Sequence, residues 1–258
     1  MEKKRKKNSI QASFLKKRLI QNPKSKIQNP KSNDTNPPLP TSEYDKMVRM
    51  GIPGYENLHT MAVACLRSKL PETANLLIVG AGSGMELVTF GKANSQWQML
   101  GVDPSANMLE IAQQKIEQEG LSNQVKLFQG YTHELPATPL YDGATCILVM
   151  HFVPDDGSKL ALLESISQRL KSSATFILVD WFGEKGSENY EQLGYICNLY
   201  RQEMGMNSET IARLEKAKEG VHPIPEPRVL ELLQQTGFGK IMRFYTGLCF
   251  GGWIATKN

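Results

Sequence analysis

The sequence has no apolar stretch long enough to cross a lipid bilayer, because no run approaches the roughly 18 residues that a spanning helix needs. Its basic start, MEKKRKKNSI, is not followed by an apolar core or a small-residue cleavage site, so it does not predict a secretory signal. We therefore expect a cytoplasmic protein with no membrane partner.

Cysteine and metal-ligand motifs are also scarce. The four cysteines, Cys65, Cys146, Cys197 and Cys249, form no CxxC pair, and the chain has no HExxH or DxD motif. Three of them lie in apolar stretches, where a free cysteine behaves as a small hydrophobic residue. The sequence predicts free thiols, no disulfide and no bound metal.

Charge is distributed unevenly along the chain. The net charge is +4 overall and +9 over residues 1–40, so residues 41–258 carry −5. A mildly acidic domain disfavours nucleic acid as the main substrate, although the basic segment keeps nucleic acid open as a tethering partner. The same segment repeats QNPKS and is rich in proline and polar residues, which predicts a disordered tail over residues 1–42.

Residues 43–258 show the alternation of strands and helices that is typical of one α/β domain. Two helices are expected to flank a turn at residues 51–54. Apolar strands are expected at 76–80, 96–103, 124–130, 144–150 and 174–181, with helices between them. This pattern predicts a parallel sheet covered on both faces. A helical cap is expected over about 183–222, and the runs KIMRFYTGL and FGGWIATK predict a final antiparallel hairpin.

A glycine-rich turn follows the first strand in LLIVGAGSGMELV, residues 76–88. Gly80, Gly82 and Gly84 give G-x-G-x-G, whereas the dinucleotide fingerprint is G-x-G-x-x-G and its third glycine slot is Met85 here. The loop therefore favours a ligand without a pyrophosphate, such as adenosine with an amino-acid tail. The alternative is that these glycines serve only the turn.

A carboxylate ends the second strand in GVDPS. Asp103 lies nineteen residues after Gly84, where a carboxylate can accept hydrogen bonds from both hydroxyls of a ribose. The alternative is that Asp103 caps the following helix, because Pro104 comes next.

Five segments together resemble the class I S-adenosylmethionine-dependent methyltransferases over roughly residues 43–258: LLIVGAGSG, GVDPSANMLEIAQQKI, LFQGYTHEL, ATCILVMHFVPDD and GFGKIMRFYTGLCFGGWIATK. Within that class, VRMGIPGYENLHTM and the C-terminal run are most similar to the carboxy-S-adenosylmethionine synthase group of tRNA-modifying proteins. The resemblance implies a Rossmann-like α/β fold with a seven-stranded, mostly parallel sheet, an antiparallel C-terminal strand and a small helical cap. It also implies S-adenosylmethionine as cofactor and methyl transfer to a small organic acceptor.

The resemblance further implies which residues bind the cofactor. The glycine loop lies under its methionine part, Asp103 at its ribose, and the backbone at the end of the fourth strand receives its amino group. The full set implied is Tyr55, Gly80, Ala81, Gly82, Asp103, Pro104, Tyr131, Thr132, Cys146, Ile147 and Leu148.

Three positions depart from the family pattern. Ile78 stands where an acidic residue usually lies two before the first glycine, and Tyr131 replaces an adenine-side aspartate. The carboxy-S-adenosylmethionine group has a cap arginine for the extra carboxylate, whereas SETIARLEKAKE offers Glu215 or a shifted Arg213. A glutamate would repel that carboxylate, so we expect plain S-adenosylmethionine as the donor.

Methyl transfer from a sulfonium is an in-line displacement, and it needs a base only if the acceptor is an acidic group such as a hydroxyl. His151, just past the fourth strand, is the candidate base, with Asp155 and Asp156 nearby. A structural role for His151 is the alternative. His59 is expected on a helix surface.

Acceptor recognition is expected at the strand ends and in the cap. The candidates are Phe152, Trp181, Tyr195, Tyr200 and Arg201. The cap helix could equally pack on the sheet or form a homodimer contact. At the level of function, three alternatives stay open: a tRNA-modification enzyme of the carboxy-S-adenosylmethionine synthase type, a nicotinamide-dependent oxidoreductase, and a cofactor-binding scaffold without catalysis.

Overall fold

The computed structural model describes residues 41–258, and they form an α/β domain around one seven-stranded sheet. The strands are β1 Asn75–Val79, β2 Gln98–Asp103, β3 Val125–Gln129, β4 Tyr141–Ile147, β5 Leu170–Trp181, β6 Phe238–Gly247 and β7 Phe250–Lys257. The helices are α1 Thr41–Gly51, α2 Tyr55–Arg67, α3 Met85–Ala93, α4 Ala106–Gln118, α5 Ser158–Ser167, α6 Glu188–Glu203, α7 Ser208–Ala217 and α8 Glu226–Gln235. The tail predicted over 1–42 lies outside the described residues, except for its last two, which begin α1.

The strand order is β3-β2-β1-β4-β5-β7-β6. The first five strands run parallel, and β7 pairs antiparallel with both β5 and β6. The predicted Rossmann-like fold, with its mostly parallel sheet and antiparallel C-terminal hairpin, is confirmed.

Both faces of the sheet are buried at β1, β2 and β4, as the near-continuous apolar strands predict. Alternate residues of a strand point to opposite faces, so Leu76 and Ile78 pack with α2, α3 and α4, whereas Leu77 and Val79 pack with α5 and α8. Because β1 to β5 run parallel, their carboxyl ends lie at the same edge of the sheet. Ligands bind at this edge in folds of this kind.

Strand boundaries differ from the prediction by one to four residues, and the largest differences are in β4, which begins three residues early at Tyr141, and in β5. Strand β4 ends at Ile147 rather than at residue 150, because Leu148 has a positive φ of 61° that turns the chain out of the sheet. Strand β5 begins at Leu170, four residues early, where it pairs with Tyr141 across an irregularity in register. Tertiary pairing sets these ends, and local composition does not reveal it.

The segment between Gly183 and His222 carries α6, α7 and a 3₁₀ turn at Lys218–Gly220. Its two ends meet beside the sheet, because Phe182 pairs with Ile224 and the Gly183 N–H donates to the Ile224 carbonyl at 3.0 Å. No helix in the described part of the chain is long and apolar enough to cross a membrane.

Candidate functional site

The glycine loop after β1 has three left-handed residues, with φ of 72° at Gly80, 50° at Gly82 and 83° at Gly84. A Cβ at Gly84 would lie 3.0 Å from the Cα of Ala112 in α4, so this glycine allows the close helix approach. At Gly82 the nearest described atom to an added Cβ would be the Gly80 carbonyl oxygen, at 3.7 Å. The loop is thus packed at Gly84 and open at Gly82, which fits a ligand that lies against the backbone.

The carboxylate of Asp103 joins this loop to the end of β2. Its Oδ2 accepts a hydrogen bond from the Gly82 N–H and its Oδ1 accepts one from the Ser105 N–H, each at 2.9 Å. Helix α4 is capped by Ser105, whose Oγ accepts from the Met108 N–H. The alternative interpretation of Asp103 as the helix cap is therefore wrong.

The N-terminal helices cover one side of the loop. Asp45 of α1 accepts a hydrogen bond from Ser83 at 3.0 Å and forms an ion pair with Lys115 of α4 at 2.5 Å. Burial, with added repulsion from Asp103 and Asp45, raises the pKa of Tyr44 to about 12. Tyr55, at the start of α2, is also buried, and burial raises its pKa above the usual range. Both phenols are therefore neutral side chains close to the acidic groups of the loop.

A buried carboxyl that the sequence did not predict, that of Glu86, lies beside the position of Ile78. Thr145 is the register partner of Ile78 on β4, and its hydroxyl donates a hydrogen bond of 2.6 Å to Glu86 of α3. Glu86 is 5% exposed, and burial raises its pKa to about 8, although the Thr145 hydrogen bond opposes the shift. Helix α3 thus supplies an acid next to the strand position that lacks one. The available signal was a glutamate in the apolar run GMELVTF.

The other predicted cofactor residues follow the ends of β2, β3 and β4. Cys146 and Ile147 are buried at the end of β4, and the Leu148 N–H donates to the Val179 carbonyl at 2.7 Å. Pro104 is exposed directly after Asp103. Past β3, the Tyr131 ring is exposed and Thr132 is buried. The Gly130 N–H donates to the Asp103 carbonyl at 3.0 Å, so this turn lies beside the end of β2.

His151 forms a buried pair with Asp180, the penultimate residue of β5. His151 Nδ1 lies 2.5 Å from Asp180 Oδ1, and both side chains are buried. The carboxylate can only accept, so Nδ1 carries the proton and Nε2 is left unprotonated in the neutral ring. Asp155 instead pairs with Arg228 at 2.9 Å, and Asp156 is exposed. Neither of these two aspartates is the carboxylate that pairs with His151.

Two of the five candidate acceptor residues surround His151. The Phe152 ring centroid is 4.1 Å from that of His151 and the Trp181 centroid is 6.3 Å away, and Phe152 is 63% exposed. Tyr195 is 60% exposed on α6 and Tyr200 is half-buried. Phe152 and Trp181 therefore lie beside the His151 ring, whereas Tyr195 faces solvent.

Arg201 of α6 is buried and lies 3.6 Å from Glu215 of α7, which also pairs with Lys218. Lys218 Nζ is 5.8 Å from the centroid of the Trp181 ring. Arg213 is exposed and bonds Thr210. The charge of Glu215 is thus offset by two cations, which weakens the argument that it would repel a carboxylate on the donor.

Two further observations concern histidine and metal ligands. His59 is buried, with Nδ1 2.8 Å from the Tyr55 carbonyl oxygen, so its expected place on a helix surface is wrong. Within residues 41–258, no group of three or more His, Cys, Asp or Glu side chains could hold a metal ion.

Several known proteins are similar to this chain in sequence. The sequence profile described as "Methyltransferase domain" matches residues 77–176. Carboxy-S-adenosyl-L-methionine synthase of Campylobacter jejuni is 25% identical over 223 residues, covering 84% of this chain and 91% of that protein. The protein of the same name from Trichodesmium erythraeum is 24% identical over 220 residues, covering 83% and 85%.

Solved structures show the same fold. An O-methyltransferase family protein from Burkholderia thailandensis superposes with a TM-score of 0.56 at 11% identity over 78% of this chain, which spans only 56% of that protein. A SAM-dependent methyltransferase from Methanosarcina mazei gives 0.54 at 19% identity, over 74% of this chain and 96% of that one. The domain profile, the relatives and the fold therefore make this chain similar to S-adenosylmethionine-dependent methyltransferases and to carboxy-S-adenosyl-L-methionine synthases, and residues 77–176 match the methyltransferase domain.

Proposed function

We propose that this enzyme transfers the methyl group of S-adenosylmethionine to a small organic acceptor, and that His151 accepts the proton the acceptor loses. The observation that carries the proposal is the His151–Asp180 pair, 2.5 Å apart, in a buried position just past the ends of β4 and β5. A histidine whose Nδ1 is held by a carboxylate presents Nε2 as a general base.

The cofactor residues of this proposal are those implied by the resemblance. Gly80 to Gly82 lie against the methionine part, Asp103 accepts from the ribose, and Tyr131 and Thr132 flank the adenine. The backbone from Cys146 to Leu148 receives the amino group, and Tyr55 closes the site from α2. The open face at Gly82 and the neutral, buried Tyr55 support this arrangement.

Bound S-adenosylmethionine supplies an electrophilic methyl group. The chain orients the acceptor in line with it, and alignment alone can supply as much as about 7–11 kcal/mol of the barrier reduction. Phe152 and Trp181 lie beside His151 and present aromatic faces to positive charge. As the acceptor attacks, its proton passes to Nε2 of His151, and Asp180 stabilises the imidazolium that forms.

The test is a methyl-transfer assay with radiolabelled S-adenosylmethionine and a panel of small phenols, carboxylic acids, amines and thiols. We expect transfer to one class, lost in His151→Gln but not in His222→Gln, which replaces an exposed histidine. A wild-type protein that binds the cofactor at micromolar concentration and labels no acceptor would favour the scaffold alternative instead.

A second candidate is synthesis of carboxy-S-adenosylmethionine, the activity named for relatives that align over more than four fifths of the chain. The cations that pair with Glu215 also favour it, because Arg201 and Lys218 could face an added carboxylate. Mass spectrometry of the ligand that copurifies with the protein distinguishes the two. A carboxylated cofactor would replace our first proposal with this one.

Other features remain part of the proposal. We propose a small-molecule acceptor, a cytoplasmic location and a homodimer, with residues 43–258 as the catalytic domain and about 183–222 as its cap insert. The cysteines within the described residues are free thiols, which supports the reducing environment of the cytoplasm. The exposed side chains of Tyr195 and Leu199 on α6 support a contact between two copies of the chain.

A further inference from the structure

A fully buried lysine lies beneath the His151–Asp180 pair. Lys159, in the first turn of α5, has a fully buried side chain, and its Nζ donates a hydrogen bond of 2.7 Å to the Met150 carbonyl oxygen. A cation in the first turn opposes the helix dipole, and burying an ammonium in an apolar region is costly unless an opposite charge is near. This lysine therefore needs an electrostatic partner.

Asp180 is that partner. It is 1% exposed, and its Oδ2 is buried without a hydrogen bond from any residue in the described part of the chain. Burial lowers the pKa of Lys159, and attraction from Asp180 is the largest opposing effect. One oxygen of the Asp180 carboxylate therefore pairs with His151, and the carboxylate also attracts the buried ammonium of Lys159.

The other charged and titratable groups around the pair are few. Cys146 of β4 is buried, and burial and nearby carboxylates raise its pKa far above the usual range, so it stays a neutral thiol. Asp155, in the loop before α5, is held by Arg228 of α8. His222 meets His151 through its backbone N–H, 2.7 Å from the His151 carbonyl oxygen. Lys218 Nζ lies 5.8 Å from the centroid of the Trp181 ring.

We propose that Lys159 is a positioning residue for His151: its buried ammonium fixes the Met150 carbonyl and balances the Asp180 carboxylate, so that the resting imidazole is neutral, with its proton on Nδ1. With Lys159 and Asp180 both charged, the cluster is already neutral. A proton on His151 would leave a net positive charge in a buried region. Without Lys159, the Asp180 carboxylate would instead be balanced by an imidazolium, and Nε2 could not accept a proton.

Nitrogen NMR on the full chain tests the network without any assay of activity. With ¹⁵N-labelled histidine, wild-type His151 at pH 7 should show one protonated and one unprotonated nitrogen. In Lys159→Met, the ratio of protonated to neutral ring should rise about tenfold, because a positive charge is lost from a poorly solvated region. Lys159→Arg keeps the charge and should resemble the wild type, as should Lys126→Met, which replaces an exposed lysine.

Unchanged His151 signals in a folded Lys159→Met protein would overturn the proposal. If that variant does not fold, the wild type still decides the question through the Nζ signal of ¹⁵N-labelled lysine. An ammonium at pH 7 that exchanges slowly with water supports the network, and a neutral amine overturns it.

The consequence for catalysis rests on the proposed role of His151 as base, and a second measurement separates the two ideas. In Lys159→Met, the acidic limb of the kcat/KM profile should move to higher pH by about one unit. The KM for S-adenosylmethionine should stay within twofold of the wild type. A change in the nitrogen spectra without this movement would keep the charge network and overturn His151 as the base.

Discussion

The Gly82 N–H donates a hydrogen bond of 2.9 Å to the Asp103 carboxylate, which joins the glycine loop to the end of the neighbouring strand. The other oxygen of Asp103 accepts from Ser105, so one buried side chain fixes the backbone on both sides of the predicted ribose position. Replacement of Asp103 therefore affects the ligand contact and the shape of the loop together.

Asp103→Ala should weaken the binding of S-adenosylhomocysteine at least tenfold, about 1.4 kcal/mol, measured by calorimetry. Asp142→Ala is a matched control, because Asp142 also accepts from a backbone N–H, that of Asn75, but lies at the amino end of β4. An affinity for Asp103→Ala within twofold of wild type, under about 0.4 kcal/mol, would show that Asp103 does not contact the ribose.

Gly84→Ala should destabilise the fold more than Gly120→Ala. Both glycines have left-handed backbones, which cost an alanine about 1–2 kcal/mol. An added Cβ meets Ala112 at 3.0 Å in the first case and no atom of the described chain within 4 Å in the second. Urea unfolding should place Gly84→Ala about 1–3 kcal/mol below Gly120→Ala, the usual cost of overpacking. Equal losses would mean that α3 and α4 do not need this close approach.

The sequence predicted those features that depend on residues close together in the chain. Alternation of apolar strands and helices gave the sheet, and the turn LLIVGAGSG gave the loop. In the dinucleotide fingerprint, a glycine at the position of Met85 allows the close approach of a helix. Here Gly84 has that role, and the sequence did not show it, because the contact with Ala112 is made between two helices. Asp180 was not predicted to partner His151 for the same reason. The two residues are 29 positions apart and meet only through the pairing of β4 with β5.

Glu86→Gln should remove a pH dependence of stability. The pKa of Glu86 is about 8 in the folded protein and about 4.5 in the unfolded chain, so the native state keeps a proton that the unfolded state releases. Wild-type stability should therefore fall as pH rises from about 4.5 to 8, by an amount of order 4 kcal/mol.

Glutamine carries no charge and can still accept from Thr145, so the variant should show a flatter profile and gain stability relative to wild type above pH 8. Urea unfolding at pH 5, 7 and 9 gives the comparison. Glu110→Gln, at an exposed site, is the control and should follow the wild type. Parallel profiles for wild type and Glu86→Gln would contradict the assignment of a buried, proton-holding carboxyl.

Cys197 and Cys249 should form a disulfide when the protein is treated with hydrogen peroxide, although the sequence predicts no disulfide. Their sulfur atoms are 2.7 Å apart, and a hydrogen bond from the Cys249 thiol lowers the pKa of Cys197. The two thiols would give up two electrons and two protons to the peroxide, which becomes water.

The bond would close a loop of 52 residues and should stabilise the fold by about 4 kcal/mol, seen as a higher unfolding temperature that reductant reverses. Cys249→Ser is the control and should show no such gain. A wild-type protein that keeps four reactive thiols after peroxide treatment and denaturation would contradict the prediction.

Asp180→Asn separates catalysis from cofactor binding. An amide in place of the carboxylate can turn its NH₂ towards His151 Nδ1, which moves the ring proton to Nε2 and leaves no base facing the acceptor. We expect kcat for methyl transfer to fall by about 10²–10⁴-fold, the usual contribution of general base catalysis. The affinity for S-adenosylhomocysteine should stay within twofold, because the glycine loop and Asp103 are untouched. An acceptor that presents an unprotonated amine needs no base, so with such an acceptor kcat would be retained in Asp180→Asn. Retained kcat together with a lost affinity for S-adenosylhomocysteine would assign the His151–Asp180 pair to cofactor binding and would leave His151 with a structural role.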